Sequence, residues 1–106
     1  MGPGSLRSSI RGREQAGLRP GLVISVDPFN HGPADLVVVI PITSKRKGLP
    51  LHVPLEPPEG GLKHQSYIKC EDVRSVSKER LGRRVGSVSH HTLTAVEERL
   101  RLLLGL

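Results

Sequence analysis

The sequence predicts an α+β fold that is mainly β: a small, strongly curved sheet or half-open barrel with one C-terminal helix. Short runs rich in Val, Ile and Leu are separated by turns rich in Pro and Gly, and β-branched residues favour strands. Only residues 89–104 have the apolar spacing of an amphipathic helix. Because the 106 residues contain no repeat and no linker, we expect residues 10–106 to form a single domain.

The longest predicted strand lies at residues 36–43, where the run LVVVI leads into Pro41. Such a short apolar run is typical of a central strand that is buried on both faces. Residues 49–55 predict an edge strand, because Pro50 and Pro54 cannot donate ladder hydrogen bonds. Further strands are predicted at residues 21–26, within residues 66–76 and at residues 82–88, with a single helical turn at residues 77–81.

The N-terminal region is polar. Residues 1–9 are small, polar and rich in Gly and Pro, so we expect a disordered tail or a remnant of an expression vector. Residues 10–20 are polar with two glycines, which predicts a loop. Because Pro20 biases the preceding residue away from the helical region, we expect Arg19 on an extended approach to the next strand.

Residues 89–104 are predicted to form a helix. Ser89 is suited to the N-cap and Gly105 to the C-terminal stop. One face of this helix carries apolar residues at helical spacing: Leu93, Val96, Leu100, Leu103 and Leu104. We expect this face to pack on the sheet, with residues 102–104 buried.

The chain carries a formal net charge of +6, and its pI is about 10.3. Such a surface favours an anionic partner, with nucleic acid as the leading class; an acidic protein or peptide fits the same field. Phe29 and Tyr67 are the only aromatic residues. Binding of nucleic acid is therefore expected to depend on cations, hydroxyls and backbone groups more than on aromatic stacking.

The sequence argues against several other classes. The single cysteine, Cys70, excludes an intrachain disulfide and a CxxC metal site, and it is compatible with a reducing compartment. No apolar run approaches the roughly 18 residues that a membrane span needs. None of the five histidines lies in a ligand-spaced cluster, so we expect no metal ion and no cofactor. We therefore expect a soluble, cytoplasmic protein.

The end of the predicted central strand carries the candidate functional residues. Thr43 and Ser44 are followed at once by three cations, and hydroxyls beside cations at the end of a rigid strand suit a phosphate-bearing ligand. The same pattern is equally compatible with a buried strand that ends in an ordinary solvated basic loop. The cations expected to contact phosphates are Lys45, Arg46, Lys47 and Lys63.

Two segments taken together resemble a known family. They are residues 13–25 (REQAGLRPGLVIS) and residues 41–48 (PITSKRKG). The combination of EQxGxRP with PITS is similar to the MazF/PemK family of toxin endoribonucleases from type II toxin–antitoxin systems. HVPL at residues 52–55, CEDVRSVSKERLG at residues 70–82 and the leucine-rich last helix follow in the family's order. The resemblance covers residues 11–106.

The resemblance implies a small SH3-like or CcdB-like curved sheet and a homodimer. It also implies sequence-specific, metal-independent cleavage of single-stranded RNA through attack by the 2′-hydroxyl, and neutralisation by a cognate antitoxin with an acidic, extended tail. The family's catalytic arginine corresponds to Arg19 and its catalytic threonine to Thr43, with Ser44 as a second donor. Glu14 and Gln15 are expected to line the RNA groove; Glu14 is either the general base or the ion-pair partner of a nearby arginine.

The N-terminus departs from the family pattern. Members begin with a strand of the form GDIVWVD before the EQxGxRP loop, whereas this chain has MGPGSLRSSI. We therefore expect the first strand to be lost, replaced or supplied in another way. Its loss would expose a sheet edge and part of the dimer surface.

Two alternative functions are left open by the sequence. A non-enzymatic toxin that resembles the gyrase inhibitors would bind its target through the terminal helix and would need no Arg/Thr pair. Exposed apolar residues at the end of that helix would favour this alternative, whereas their expected burial argues against it. An inactive, N-terminally truncated family member would bind only its antitoxin.

Overall fold

The computed structural model describes residues 7–13 and 19–106, so Glu14 and Gln15 lie outside the described residues. Within these ranges the strands are β1 (Ser9–Arg13), β2 (Gly21–Val23), β3 (Leu36–Thr43), β4 (His52–Leu55), β5 (Ser66–Lys69), β6 (Arg74–Ser77) and β7 (Leu81–Ser87). The helices are α1 (Asp27–Asn30) and α2 (His90–Leu104). Three 3-10 turns lie at Glu59–Gly61, Cys70–Asp72 and Lys78–Arg80.

The strands of the described residues form one open, antiparallel sheet in the order β4-β5-β3-β2-β1-β7. The long strand β3 pairs with β2 along one edge, and along its other edge with β6 near its start and β5 near its end. The mainly-β fold class with a C-terminal helix is confirmed, as are the central strand at residues 36–43 and the edge strand within residues 49–55.

The main core lies between one face of the sheet and α2. Ile40 and Ile42 of β3 and Ile68 of β5 share this cluster with Val96 of α2, and all four side chains are buried. A second, smaller cluster is formed by Val23, Val37, Val39 and Val76. Because Leu, Ile and Val supply both clusters, the near absence of aromatic residues does not prevent a packed interior.

Alternation along β3 assigns its side chains to two faces. Ile42 points into the main core, on the side that α2 covers. Its neighbour Thr43 therefore lies on the opposite face, which Val39 shares, because successive side chains of a strand alternate. The hydroxyl of Thr43 at the end of β3 thus opens onto the face of the sheet away from α2.

β2 is shorter than the predicted strand at residues 21–26. It ends at Val23 because the hydroxyl of Ser25 takes over the next ladder position: Ser25 Oγ accepts the backbone N–H of Val38 at 2.9 Å. The same hydroxyl donates to the side-chain carbonyl of Asn30, which is buried at the end of α1. The predicted loop between β2 and β3 therefore contains a short helix.

β1 differs from what the sequence predicts for the N-terminus. Residues 10–13 belong to a strand where a loop was predicted. Of the three outcomes left open for the first strand (lost, replaced or supplied in another way), the structure shows replacement by a strand of different sequence, which pairs with β2 on one side and β7 on the other. Ser9 and Ile10 are buried, and Arg7 Nη2 lies 2.7 Å from Glu97 Oε2 of α2. Residues 7–9 thus belong to the fold, and residues 1–6 of the predicted tail lie outside the described residues.

Both ends of α2 agree with the prediction. Ser89 Oγ accepts the backbone N–H of Thr92 at 3.1 Å, and Gly105 adopts the left-handed conformation with a φ of 71°. The predicted burial of residues 102–104 is wrong, because these leucines are 75%, 39% and 60% exposed. Leu100 is the last leucine of α2 that packs on the core, so the final turn extends beyond the sheet.

The 3-10 turn Glu59–Gly61 packs closely against β7. Gly61 has a φ of +75°, a conformation that side-chain-bearing residues rarely adopt. A Cβ atom on Gly86 would lie only 2.8 Å from the backbone nitrogen of Gly61 and closer still to the carbonyl of Gly60. The backbones of the turn and the strand can therefore meet only where the strand carries glycine.

Replacing Gly86 by alanine is expected to destabilise the protein by about 3 kcal/mol, because a backbone cannot yield as a flexible side chain does. Urea unfolding measures this loss. Gly12→Ala is the matched control in β1, since its Cβ would meet nothing closer than the carbonyl oxygen of Arg83 at 3.8 Å. Equal losses in the two variants would contradict the proposed close approach.

Glu59 connects this turn to the start of α2. Its Oε2 accepts the backbone N–H of Ser89 at 2.9 Å and the hydroxyl of Thr92 at 2.6 Å. Burial alone would raise the pKa of Glu59, but the hydrogen bonds from Thr92 and Ser89 outweigh it and hold the pKa below its ordinary value of 4.5. A carboxylate also suits the positive end of a helix dipole.

The lowered pKa of Glu59 predicts an acid-sensitive contribution to stability. A carboxyl group whose pKa falls on folding stabilises the protein above its unfolded pKa, and this contribution is lost as the pH falls through the folded value. We expect the free energy of unfolding to fall below about pH 4.5 in the wild type and to fall less in Glu59→Gln. Urea unfolding across the acid range tests this, with the exposed Glu79→Gln as control; identical pH profiles for wild type and Glu59→Gln would refute it.

Candidate active site

The pairing of β2 with β3 brings Arg19 beside Thr43. The strands are antiparallel, and beyond the start of β2 the backbone N–H of Ile42 donates to the carbonyl of Pro20 at 3.0 Å. One further step in this register brings Arg19 level with Thr43. Residues that oppose each other in an antiparallel pair project from the same face. The two side chains therefore share the face of the sheet away from α2.

An open cleft of about 260 Å³ lies at this point. Both Arg19, which is exposed, and Thr43, which is half-buried, line it. Ser44, Lys45 and Lys63 line it as well. The structure thus gathers five of the sequence-predicted site residues from three separate parts of the chain. The rest of the lining comes from Pro20, Ile42, Leu62, His64 and Ser66.

The hydroxyl of Thr43 is oriented by the loop that follows it. Its Oγ1 accepts the backbone N–H of Lys45 at 3.1 Å. Because this bond uses only a lone pair, the hydroxyl proton remains available for a ligand oxygen. Threonine is also restricted at χ1, so the end of β3 presents a donor in a defined position.

The lining of the cleft is positively charged. Arg19, Lys45 and Lys63 contribute cations, and no Asp or Glu is among the described residues that line the cleft. Within the described part of the chain, no carboxylate forms an ion pair with Arg19. Ile42 and Leu62 add apolar surface to the lining, while the three cations themselves are exposed. An oxyanion such as a phosphate matches this combination of charge and donors.

The remaining predicted site residues lie elsewhere. Arg46 lines a neighbouring cavity on the sheet, and Lys47 is exposed and lines neither that cavity nor the cleft. Glu14 and Gln15 lie outside the described residues. The basic loop after β3 thus distributes its three cations over two cavities and the open surface.

His64 is the cleft residue that sequence reasoning missed. No histidine was assigned a role from the sequence, whereas His64 is exposed and lines the cleft together with Arg19 and Thr43. Ser66 Oγ donates to the carbonyl of His64 at 2.9 Å and so fixes the local backbone. In the sequence, only the neighbouring Lys63 indicates a role for His64, because the approach of this loop to β3 depends on the tertiary fold.

Several other chemistries find no support among the described residues. Cys70 is buried in the main core, and burial raises the pKa of its thiol to about 11, so it is not a thiolate nucleophile. No group of three or more His, Cys, Asp or Glu side chains in residues 7–13 and 19–106 is arranged to hold a metal ion. None of the described helices is long and apolar enough to cross a membrane.

The sequence model of one protein family, the PemK-like, MazF-like toxins of type II toxin–antitoxin systems, matches residues 5–104. The chain belongs to this family. The match runs through almost the whole chain and includes the EQAGLRP and PITS segments that suggested it. The cleft between Arg19 and Thr43 is therefore the site to compare with other MazF/PemK toxins.

Similar proteins agree with this assignment. Endoribonuclease EndoA of Bacillus subtilis is 32% identical over 100 residues, which are 93% of this chain and 86% of that protein. Toxin MazF-mt6 of Mycobacterium tuberculosis superposes with a TM-score of 0.82 at 25% identity, covering 92% of this chain and 97% of that one.

Two further solved structures contain an antitoxin. A mycobacterial endoribonuclease in complex with its cognate antitoxin superposes with a TM-score of 0.81 at 25% identity, covering 95% of each chain. MazF in a MazE–MazF complex from Deinococcus radiodurans has a TM-score of 0.81 at 27% identity, covering 93% of this chain and 94% of that one. The open sheet with its C-terminal helix is thus the MazF fold.

Proposed function

We propose that this MazF/PemK-family chain is an endoribonuclease toxin that cleaves single-stranded RNA, such as mRNA, at specific sequences and without a metal ion. The observation that carries the proposal is the meeting of Arg19 and Thr43 in one open, positively charged cleft. The relationship to Bacillus subtilis EndoA and to endoribonucleases from mycobacteria supports the same activity.

Cleavage begins when the 2′-oxygen of the RNA attacks the adjacent phosphorus. The bond from O2′ to phosphorus forms, the bond from phosphorus to O5′ breaks, and negative charge accumulates on the non-bridging oxygens in between. Arg19 stabilises this charge through its planar guanidinium, which donates two parallel hydrogen bonds to a phosphate. Thr43 donates its hydroxyl proton to one of the same oxygens.

Proton transfer requires a separate group, because an arginine stays protonated and cannot accept a proton. The 2′-hydroxyl proton must leave during attack, and O5′ must gain a proton as it departs. His64 lines the cleft, and histidine is the side chain that most often acts as a general acid or base. Glu14 is the other candidate base. Arg19 is assigned to charge stabilisation and, while keeping its own protons, to a hydrogen bond with the leaving oxygen that assists its protonation by another group.

Lys45 and Lys63 are proposed to bind phosphates on either side of the scissile bond. Replacing both by glutamine is expected to weaken RNA binding and to reduce the slope of log Kd against log salt by about 0.7 per lost contact. Fluorescence anisotropy measures this with an RNA that carries a 2′-deoxy nucleotide at the cleaved position. Arg83→Gln with Arg84→Gln, exposed on β7, is the control pair; an equal effect of this pair would point to a diffuse field instead.

The proposed RNA groove also accounts for binding of an antitoxin. The antitoxin complexes of the mycobacterial and Deinococcus relatives support a cognate antitoxin for this chain as well. An acidic, extended antitoxin tail would neutralise the cations that otherwise bind RNA, which gives inhibition by direct competition. We also assign a homodimer as the working form and the cytoplasm, where mRNA is translated, as the place of action.

The proposed cleavage is tested with long RNA in the presence of EDTA, with the fragment ends mapped. The wild type is expected to leave 5′-hydroxyl and 2′,3′-cyclic phosphate ends, and a 2′-deoxy nucleotide at the cleaved position should block the reaction. The Arg19→Ala/Thr43→Ala double variant should not cleave. Intact RNA with the wild type, or undiminished cleavage by the double variant, rejects the nuclease.

One objection to the gyrase-inhibitor alternative does not hold. It was the expected burial of residues 102–104, whereas these leucines at the end of α2 are exposed. The relatives named for an activity are endoribonucleases, which supports RNA cleavage instead. Inhibition of DNA supercoiling by a wild type that leaves RNA intact would restore this alternative, whereas binding of an acidic peptide alone would indicate an inactive member.

A further inference from the structure

His64 and Arg19 approach Thr43 from opposite edges of β3. Arg19 lies two residues before β2, which pairs with one edge of β3, and His64 lies two residues before β5, which pairs with the other. Because both pairings are antiparallel, the starts of β2 and β5 lie near the end of β3. All three residues line the cleft, whose volume of about 260 Å³ is small enough for opposite walls to contact one phosphodiester group.

In-line attack at phosphorus requires groups in the same relative positions. The attacking O2′ and the leaving O5′ lie on opposite sides of the phosphorus, with the non-bridging oxygens between them. In the proposed mechanism, Arg19 donates to the leaving oxygen and Thr43 to a non-bridging oxygen. A phosphate bound in this way directs O2′ toward the other edge of β3, where His64 lies.

The imidazole of His64 is available to a substrate. In the part of the chain that the structure describes, its ring nitrogens form no hydrogen bond and no ion pair. Ser66 Oγ donates to the backbone carbonyl of His64, so the loop is held in place while the side chain stays exposed. Because it is exposed, the ring can also exchange protons with solvent after each turnover.

The other described residues that line the cleft are unsuited to accept a proton. The three cations of the lining, Arg19, Lys45 and Lys63, carry N–H donors and no acceptor. The serine and threonine hydroxyls need a base themselves when they react. No Asp or Glu is among the described lining residues. Histidine is the side chain most often used for proton transfer, so His64 is the described residue of the cleft that is suited to this step.

We propose that His64 is the general base of RNA cleavage. A ring nitrogen of His64 takes the proton of the 2′-hydroxyl while O2′ bonds to phosphorus, the bond from phosphorus to O5′ breaks, and O5′ takes a proton from water. The imidazolium then releases its proton to solvent. The assignment rests on the proposed RNA cleavage and decides between its two candidate bases, His64 and Glu14.

The variant His64→Gln keeps a polar side chain of similar size but removes the group that accepts the proton. It is expected to lower kcat about 10²-fold, within the range that a general base contributes. Single-turnover cleavage of a short RNA in EDTA measures this. His90→Gln is the matched control, because His90 is exposed at the start of α2 and lines neither cavity. It should reproduce the wild-type rate.

A substrate with sulfur in place of O5′ separates a base from an acid. A thiolate leaves without gaining a proton, because a thiol is far more acidic than an alcohol. If His64 is the base, His64→Gln should remain about 10²-fold slower than the wild type on this substrate too. If the defect disappears on the sulfur substrate, His64 protonates the leaving group instead, and the proposal is wrong.

Added imidazole separates a base from a merely structural residue. It should accelerate cleavage by His64→Ala about tenfold or more, because free imidazole can take the 2′-hydroxyl proton from the vacated position. It should not accelerate Arg19→Ala, which keeps its histidine. No acceleration of His64→Ala would assign His64 to structure alone and overturn the proposal.

The outcomes distinguish this proposal from the proposed nuclease. If the wild type leaves all RNA intact, the nuclease fails and the assignment of His64 fails with it. If the wild type cleaves and His64→Gln cleaves equally fast, only the assignment of His64 fails. In that case, a large loss in Glu14→Gln would identify Glu14 as the base.

Discussion

Arg19→Ala is expected to lower kcat/KM for RNA cleavage about 10³-fold. In the proposed mechanism the guanidinium faces the charge that develops on the phosphoryl oxygens, and loss of one such preorganised charged donor costs about 4 kcal/mol of transition-state stabilisation. Arg19→Lys should recover only part of this loss, because an ammonium keeps the charge but cannot form two parallel hydrogen bonds. Single-turnover cleavage of a short RNA measures both variants.

The control for Arg19 is Arg83→Ala, which removes an equal charge from an exposed position on β7 that does not line the cleft. It should reduce the rate only through the general field, which is weak at physiological salt. Both arginines are exposed, so neither variant should alter the unfolding midpoint much. If Arg83→Ala and Arg19→Ala reduce the rate equally, Arg19 has no specific role at the phosphate.

Thr43→Val is expected to lower kcat about 10²-fold. Valine has a similar shape and the same branching at Cβ, so the end of β3 should remain a strand, but it loses both the hydroxyl proton that faces the cleft and the oxygen that accepts the backbone N–H of Lys45. The removal of one preorganised transition-state hydrogen bond has an effect of this size. Thr43→Ser keeps the hydroxyl and should stay within a few-fold of the wild type, although its χ1 is less restricted.

Thr94→Val is the matched control on α2, where Thr94 lines neither cavity. It should leave the kinetics unchanged. An increase in KM with an unchanged kcat for Thr43→Val would mean that the hydroxyl binds the ground state and the transition state equally. Unchanged kinetics in Thr43→Val would remove Thr43 from the mechanism and leave Arg19 with another partner.

Strands with a strong apolar pattern were predictable, and β1 was not. The run from Leu36 to Thr43 has the bounds that its sequence predicts, because five consecutive apolar residues must be buried on both faces. β1 has the polar sequence SIRGR, yet it lies between β2 and β7 and gains ladder bonds from both. A strand between two partners can be held by its backbone, which leaves little signal in the side-chain pattern.

The end of α2 shows the opposite error. The leucines at positions 100, 103 and 104 continue the helical spacing, so periodicity predicts burial for all of them. The described sheet reaches only as far as Leu100, and the leucines of the last turn are exposed. Periodicity defines which face of a helix is apolar, whereas the length that is covered depends on the extent of the neighbouring elements.

The sequence by itself determined the strand-forming runs, the limits of α2, the basic character of the surface and the family, because each depends on local residue types or on contiguous motifs. Only the tertiary structure decided that Arg19 lies beside Thr43 and that His64 joins them. These facts depend on strand register and on how loops distant in the chain approach one another, and no local pattern encodes such distances.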